Sequence, residues 1–222
     1  MQDQRVAQAS GILYLTIIAL GLTAEIAVRQ PLLAATGSLA GWETSLRLAI
    51  AADAVMVAAD IALAWLLWRL LAPAGRDLAA LAALFRLAQA ATIAAHLSTQ
   101  YEAVLWIAND RPDLANHALQ LHAAGYDFGL TFFGINSILT GLLLVRHANF
   151  PNWIGGLLGA AGMVYLTGSA LRLLAPGWVE TFAPAYLIAV IAETGFAAVL
   201  LCTGWRNRLV GDDRFELPTS SM

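Results

Sequence analysis

Six apolar runs, each long enough to cross a lipid bilayer, recur along the 222 residues of this sequence. An α-helix rises about 1.5 Å per residue, so roughly 20 apolar residues cross a hydrocarbon core of about 30 Å. With 59% hydrophobic and 12% charged residues, the composition lies far from that of soluble domains. We therefore predict an all-α fold, a polytopic transmembrane bundle of six helices. The predicted spans are residues 9–28, 46–72, 78–107, 117–146, 153–175 and 182–206.

The connections between the spans are marked by proline and glycine, which interrupt helices. Residues 29–45 form the longest connection, and its glycines predict flexibility. The third span is longer than the apolar core of a bilayer, so we expect its end, Ser98 to Trp106, to leave the membrane. The six spans form one domain, residues 1–206, followed by a polar tail, residues 207–222, that we expect to fray.

The orientation is predicted from arginine, because basic residues are retained on the cytoplasmic side of a membrane. With the N-terminus inside, seven arginines fall on the cytoplasmic side and four on the outer side, so both termini are predicted to be cytoplasmic. The cytoplasmic set is Arg5, Arg69, Arg76, Arg146, Arg206, Arg208 and Arg214, and the outer set is Arg29, Arg47, Arg111 and Arg172.

The residue types that are missing exclude several classes of protein. There is no lysine, so a retinal or pyridoxal Schiff base, which needs a lysine amine, is excluded. The single Cys202 allows no intramolecular disulfide. The sequence has no stripe of basic residues interleaved with aromatic residues, the pattern that indicates a nucleic-acid partner. We predict no cofactor, membrane lipids as partners and no nucleic-acid partner, and we leave a protein partner and the oligomeric state open.

Ionisable residues interrupt the apolar spans, although a charge at the bilayer centre costs about 3 kcal/mol on insertion scales. Such residues normally face a bundle interior or a wet cavity, and function is sought there first. The residues concerned are Asp53, Asp60, Arg86, His96, Asp127 and Glu193.

Two neighbouring spans share a polar stripe. Arg86, Gln89, His96 and Gln100 fall on one face of the third span, and Asp53 and Asp60 lie two turns apart on the second. Because the connection at Pro73 is short, the two helices are antiparallel neighbours. Counting outward from that turn predicts an ion pair between Asp60 and Arg86, with Asp53 near His96. The pair is interpreted as a structural strut or as part of a chemical site.

Several polar residues map to the outer half of the bundle, which predicts a cavity open to the outer side. His96 and His122 lie at similar depth and could in principle ligate a haem or a metal, but hydrogen-bonded interior histidines are the preferred interpretation, and no metal site is predicted. The full set of candidate cavity residues is Arg47, Asp53, Asp60, Arg86, Gln89, His96, His122, Asp127, Asn136 and Glu193.

Small residues at helical spacing predict close packing between helices. The pairs are Gly125 with Gly129 and Gly155 with Gly159, and packing within the chain is preferred to dimerisation.

The run GYDFGLTFFG at residues 125–134, with the glycines, Arg146, Pro151 and Tyr165 that follow it, resembles the signature of a bacterial membrane family named domain of unknown function 4386. Residues 9–15, 47–60 and 78–87 resemble its other motifs. The resemblance implies a six-helix protein of a bacterial inner membrane and no assigned activity. It adds weight to Arg47, Asp60, Arg86, Asp127 and Glu193.

Three functions follow from these patterns. The first is a binding or transport protein whose polar cavity accepts a small polar solute, an ion or a lipid head group. The alternative is an accessory or assembly subunit of a larger membrane complex. The third is an intramembrane enzyme that uses a carboxylate and His96 on a lipid-like substrate, and no catalytic residue is assigned.

Overall fold

Helices make up almost all of the described chain, and the computed structural model describes residues 2–35, 39 and 41–211, with side chains as far as Cys202. No strand occurs in these residues. Short 3-10 turns cover Ala72–Ala74, Pro176–Trp178 and Ala183–Ala185, and a π-helical turn covers Glu25–Arg29. The α-helices are α1 (Gln2–Ala24), α2 (Gln30–Ala34), α3 (Trp42–Leu71), α4 (Arg76–Ala108), α5 (Pro112–Arg146), α6 (Asn152–Leu174), α7 (Val179–Phe182) and α8 (Tyr186–Gly211).

Among the described residues, six helical segments are long and apolar enough to cross a membrane. The predicted fold class and number of spans are confirmed, and the chain is a multi-pass membrane protein by the length and composition of its helices. The segments are Asp3–Ala34, Trp42–Ala74, Arg76–Ala108, Pro112–Arg146, Asn152–Leu174 and Pro176–Cys202.

The first span was predicted to end at residue 28, and this boundary is wrong. The π turn joins α1 to α2 without a break, so the helix continues to Ala34. In the π turn the Gln30 amide donates to the carbonyl oxygen of Glu25, five residues earlier. Pro31 follows the π turn, and the helix continues through it although proline has no amide N–H to donate to the preceding turn. Arg29, assigned to a loop from the sequence, therefore lies inside a helix and is buried.

The last span differs from its predicted bounds at both ends. The last span was predicted to begin at residue 182, but α8 begins at Tyr186, after a series of short turns. Its helix continues to Gly211, past the predicted end at residue 206. The rest of the predicted tail, residues 212–222, lies outside the described residues, as do residues 36–38 and 40 of the first connection.

The long helices form a closed ring in which each packs against its neighbours in sequence. Helix α1 packs on α3, α3 on α4, α4 on α5, α5 on α6, α6 on α8, and α8 returns to α1. Large apolar side chains cover the outside of this ring, as a surface in contact with lipid requires. Those that are more than half exposed include Ile12, Val55, Leu84, Phe128, Met163 and Ile191.

Two apolar clusters lie at opposite ends of the helix bundle. One contains Leu63, Leu143 and Phe196, and the other contains Leu46 and Leu119. On α3, α4 and α5 the buried polar residues lie at positions between these clusters, whereas Glu193 on α8 lies among residues of the first cluster. The polar layer is thus held between two apolar ends of the bundle.

Glycines allow the closest approaches between helices. A Cβ atom at Gly155 would lie 2.6 Å from the carbonyl oxygen of Gly141, so α5 and α6 touch backbone to backbone. A Cβ atom at Gly125 would overlap the ring of His96 on α4. Gly125, Gly129 and Gly155 therefore serve packing within the chain, as predicted, whereas a Cβ atom at Gly159 would meet nothing within 4 Å.

Candidate functional site

A cavity of about 480 Å³ opens in the half of the bundle where α1 ends and α3 begins. Sites for small molecules commonly enclose roughly 300–1,000 Å³, so this volume fits a ligand of modest size. Side chains from all six long helical segments line it. The charged residues among them are Glu25, Arg29, Asp60, Arg86, Asp127, Arg172 and Glu193.

The floor of the cavity is the predicted ion pair between Asp60 and Arg86, which is confirmed. Arg86 Nε donates to Asp60 Oδ1 over 2.8 Å, and Nη2 lies 2.7 Å from the same oxygen. Gln89 Nε2 donates to Asp60 Oδ2 over 3.2 Å. The Arg86 guanidinium also lies 4.9 Å from the ring of Tyr14 and 5.2 Å from that of Phe133. The charge of Arg86 is therefore engaged by one carboxylate and two aromatic rings.

Glu193 lies beside this floor and is not paired with an arginine in the part of the chain that the structure describes. The Tyr165 hydroxyl donates to Glu193 Oε1, linking α6 to α8. Glu193 is only 8% exposed. None of the ion pairs found among the described residues includes it. Its carboxyl group is thus buried with a neutral donor as its partner.

A second cluster of charged and polar side chains surrounds Arg29. Its contacts differ from one that was predicted. We expected Asp53 near His96, but its partner is Arg29, whose Nη1 lies 2.5 Å from Asp53 Oδ2. Arg29 Nε also donates to Glu25 Oε2 over 2.7 Å. The Gln100 amide, oriented with its oxygen toward Arg29, accepts from Nη1 at 3.3 Å and donates to Asp53 at 3.2 Å. The expectation failed because Arg29 was placed in a loop.

A third pair, between Asp127 and Arg172, lies on the opposite wall. The Arg172 side chain is 48% exposed and the Asp127 side chain 14% exposed. This pair is therefore more exposed than the Asp60–Arg86 and Arg29–Asp53 pairs. The Ser169 hydroxyl donates to the carbonyl oxygen of Asp127 over 2.9 Å and fixes α6 against α5. Arg172 was assigned from the sequence to the outer end of a span, and its pairing with Asp127 was not predicted.

The two central histidines have different surroundings. His122 lines the cavity, and its Nδ1 lies 3.0 Å from the carbonyl oxygen of His96. The His96 ring packs against Gly125, with Nδ1 2.8 Å from the carbonyl oxygen of Thr92, and it is not among the lining residues. Within the described residues, no group of three or more His, Cys, Asp or Glu side chains is arranged to hold a metal.

Four predicted candidates are not among the lining residues, and besides Asp53 and His96 they are Arg47 and Asn136. Arg47 is about half exposed, 3.9 Å from Glu43 and near the ring of Tyr101. Asn136 is buried, and its Nδ2 donates to the carbonyl oxygen of Ala82 over 2.8 Å, which ties α5 to α4. Both are explained as structural contacts.

Sequence reasoning did not propose Arg29, Tyr126 or Arg172 as lining residues. The spacing of Glu25 and Arg29, four residues apart on one helical face, was the available signal for the first. Tyr126 lies under the Arg29 guanidinium, 6.0 Å from it, and needs the tertiary structure to be recognised.

Comparison with known proteins gives a family and no activity. The family model described as Domain of unknown function (DUF4386) matches residues 9–204. An "Uncharacterized protein" from Archaeoglobus fulgidus is 28% identical over 118 residues. The aligned part covers 53% of this chain and 63% of that relative, so the match spans less than two thirds of its length. No solved structure matches the chain significantly.

Proposed function

The chain belongs to the family described as Domain of unknown function (DUF4386), and from this premise we propose that it is a membrane protein that binds a small molecule with a polar head in its interior cavity. The head, of the polar-solute or lipid-head-group class, would lie on the charged floor formed by Asp60 and Arg86, beside Glu193. The observation that carries the proposal is the position of these buried ionisable groups at the base of an open cavity of about 480 Å³. Intramembrane charges that face such a space are characteristic of ligand pathways.

The walls of the cavity support a ligand that is partly apolar. Above the floor they include Ile17, Leu22, Leu33, Leu130 and Val190. Apolar walls with a few convergent polar groups are the usual composition of a small-molecule site. The proposed ligand therefore has a polar head at the floor and an apolar portion toward the mouth.

The proposed setting is a prokaryotic plasma membrane, the inner membrane in a bacterium, with both termini in the cytoplasm and the cavity open to the outer side. Arginine placement supports this orientation. An accessory subunit is the weaker proposal, because helices that only dock a partner need no interior space lined with charge. No reaction is assigned to the cavity.

The proposal is tested by filling the cavity. Ala123 lines it, so Ala123→Trp places an indole where the ligand would bind. Ala94 lies on an exposed face of α4, so Ala94→Trp is the matched control. Each protein is purified from its native membrane in a mild detergent and weighed by native mass spectrometry. We expect a bound small molecule in the unmodified protein and in Ala94→Trp, and none in Ala123→Trp. Equal masses bound by all three proteins, or none bound by any, would contradict the proposal.

A further inference from the structure

We propose that the polar head of the ligand is a protonated amine, an ammonium group that carries N–H donors; this inference rests on the proposed function. The excess of acid and the aromatic wall of the cavity favour a cation over an anion or a neutral head. The unpartnered acceptors favour N–H donors over a quaternary ammonium.

The first feature is an excess of acid. Four carboxylates line the cavity, Glu25, Asp60, Asp127 and Glu193, against three arginines. Each arginine is already paired with a carboxylate, and Arg29 is shared between Glu25 and Asp53, which lies behind it. Glu193 is left without a cation. A positive charge in the cavity would complete this balance, and charges interact more strongly in a low dielectric than in water.

The second feature is a pair of buried acceptors. Gln89 Oε1 and His122 Nε2 have no hydrogen-bond partner in the part of the chain that the structure describes. Their residues are 5% and 2% exposed and line the cavity. The Gln89 amide nitrogen faces Asp60, so its oxygen is the free end. His122 Nδ1 faces a carbonyl oxygen and must donate to it, so Nε2 of the neutral ring is an acceptor.

Buried acceptors without donors are costly, and they select a ligand that brings donors. A primary ammonium has three N–H donors, as the lysine side chain does. A trimethylammonium group has the same charge and none of these donors. A sulfate or phosphate head brings only acceptors when it is ionised.

The third feature is a row of aromatic rings on one wall. Phe133 lies 5.2 Å from Tyr165, Tyr165 lies 5.8 Å from Tyr186, and Tyr186 lies 6.2 Å from Phe182, measured between ring centroids. All four line the cavity. Aromatic faces attract cations, so the row offers a favourable wall for an ammonium beside Glu193.

The experiment uses four probes that share one chain and differ in their heads: octylammonium, octyltrimethylammonium, octanol and octyl sulfate. The full chain is reconstituted in lipid nanodiscs, and each probe is titrated while Tm is recorded. Binding is assigned to the cavity where Ala123→Trp abolishes the rise in Tm and Ala94→Trp retains it. We expect octylammonium to bind about tenfold more tightly than octyltrimethylammonium, which corresponds to the loss of one or two hydrogen bonds. Octanol and octyl sulfate are expected to bind more weakly still.

A matched pair of variants tests the role of Glu193. Glu193→Gln removes the unpaired acid, whereas Glu43→Gln removes a carboxylate that is not among the lining residues. We expect Glu193→Gln to weaken octylammonium binding about tenfold and to leave octanol binding unchanged, which also shows that the variant is folded. Glu43→Gln is expected to behave as the unmodified protein.

The outcomes separate this inference from the proposed function. Three outcomes overturn the amine inference and leave the binding cavity in place. In the first, all four probes bind equally and Ala123→Trp abolishes their binding. In the second octyl sulfate binds best, and in the third Glu193→Gln leaves octylammonium binding unchanged. If no probe binds but the native protein still carries a molecule lost in Ala123→Trp, the same conclusion holds. If no probe binds and no molecule co-purifies, both proposals are overturned.

Discussion

Arg29 stabilises the bundle from within, and its loss should be costly. It lies 2.7 Å from Glu25 and 2.5 Å from the fully buried Asp53, so Arg29→Gln leaves that carboxylate without its cation. Removal of one partner from a buried ion pair typically costs about 3–5 kcal/mol, and we expect a decrease of this size in the free energy of unfolding. Chemical denaturation in mixed micelles measures it.

Arg47→Gln is the matched control for this prediction. Arg47 is about half exposed and pairs with Glu43 at 3.9 Å, so its replacement should change the free energy of unfolding by at most about 0.5 kcal/mol. The double replacement Arg29→Gln with Asp53→Asn should recover part of the lost stability, because no charge is then stranded. Similar effects of the two arginine substitutions would contradict the assignment.

The Tyr165 hydroxyl supplies a donor to the buried carboxyl of Glu193, and it too can be tested by a small change. Tyr165→Phe removes only the hydroxyl and leaves Glu193 without that donor. We expect a loss of about 1–3 kcal/mol of unfolding free energy, the usual cost of an unsatisfied buried polar group. Tyr101→Phe, at a residue that is 46% exposed, is the control and should be nearly neutral. A neutral Tyr165→Phe would show that the hydroxyl contributes nothing to stability.

At the residue scale the sequence predicted one ion pair and missed another for a physical reason. Asp60 and Arg86 lie on helices joined by a short turn, so counting residues from that turn gave their depth correctly. Asp53 was matched to His96 because Arg29 had been assigned to a loop beyond Pro31. In the structure the π turn, in which hydrogen bonds run to the fifth residue back, continues the helix through that arginine, and its side chain is buried.

At the scale of helices, close packing of α5 on α6 depends on individual glycines. Gly155→Ala places a methyl group 2.6 Å from the carbonyl oxygen of Gly141, so the helices must separate, and we expect the variant to lower Tm. Gly156 is its neighbour on the same helix, and a Cβ atom there would meet nothing within 4 Å. Gly156→Ala should be neutral or stabilising by up to about 1 kcal/mol, since alanine favours a helix over glycine. The reverse order of Tm would contradict this packing.

The helices themselves were predictable because their signal is the length of an apolar run. Their ends were less so, as the last span shows: its predicted start at residue 182 lies within α7, where prolines at positions 176 and 184 break the chain into short turns before α8. A run of apolar residues does not distinguish such turns from a continuous helix. The prolines, rather than the apolar run, therefore decide where α8 begins.

For the molecule as a whole, the closure of the ring was not contained in the pattern of the sequence, which predicted a cavity on the outer side only from the depth of its polar residues. The approach of α8 to α1 joins the two ends of the chain and has no local signal. Once Arg29 is placed in the interior, three arginines remain in the outer set, Arg47, Arg111 and Arg172, against seven in the cytoplasmic set. With this assignment the arginine count still predicts cytoplasmic termini.

That orientation predicts which side of the membrane reaches the cavity. Leu33 lines the cavity and is 41% exposed at its mouth, and Asp77 is exposed at the start of α4, at the opposite end of the bundle. In a Cys202→Ser background, Leu33→Cys should react in intact cells with a membrane-impermeant maleimide. Asp77→Cys should react only after the membrane is permeabilised, because it is predicted to face the cytoplasm. Octylammonium should slow the labelling of Leu33→Cys by occupying the mouth of the cavity. If Asp77→Cys alone is labelled in intact cells, the cavity lies on the cytoplasmic side and the predicted topology is reversed.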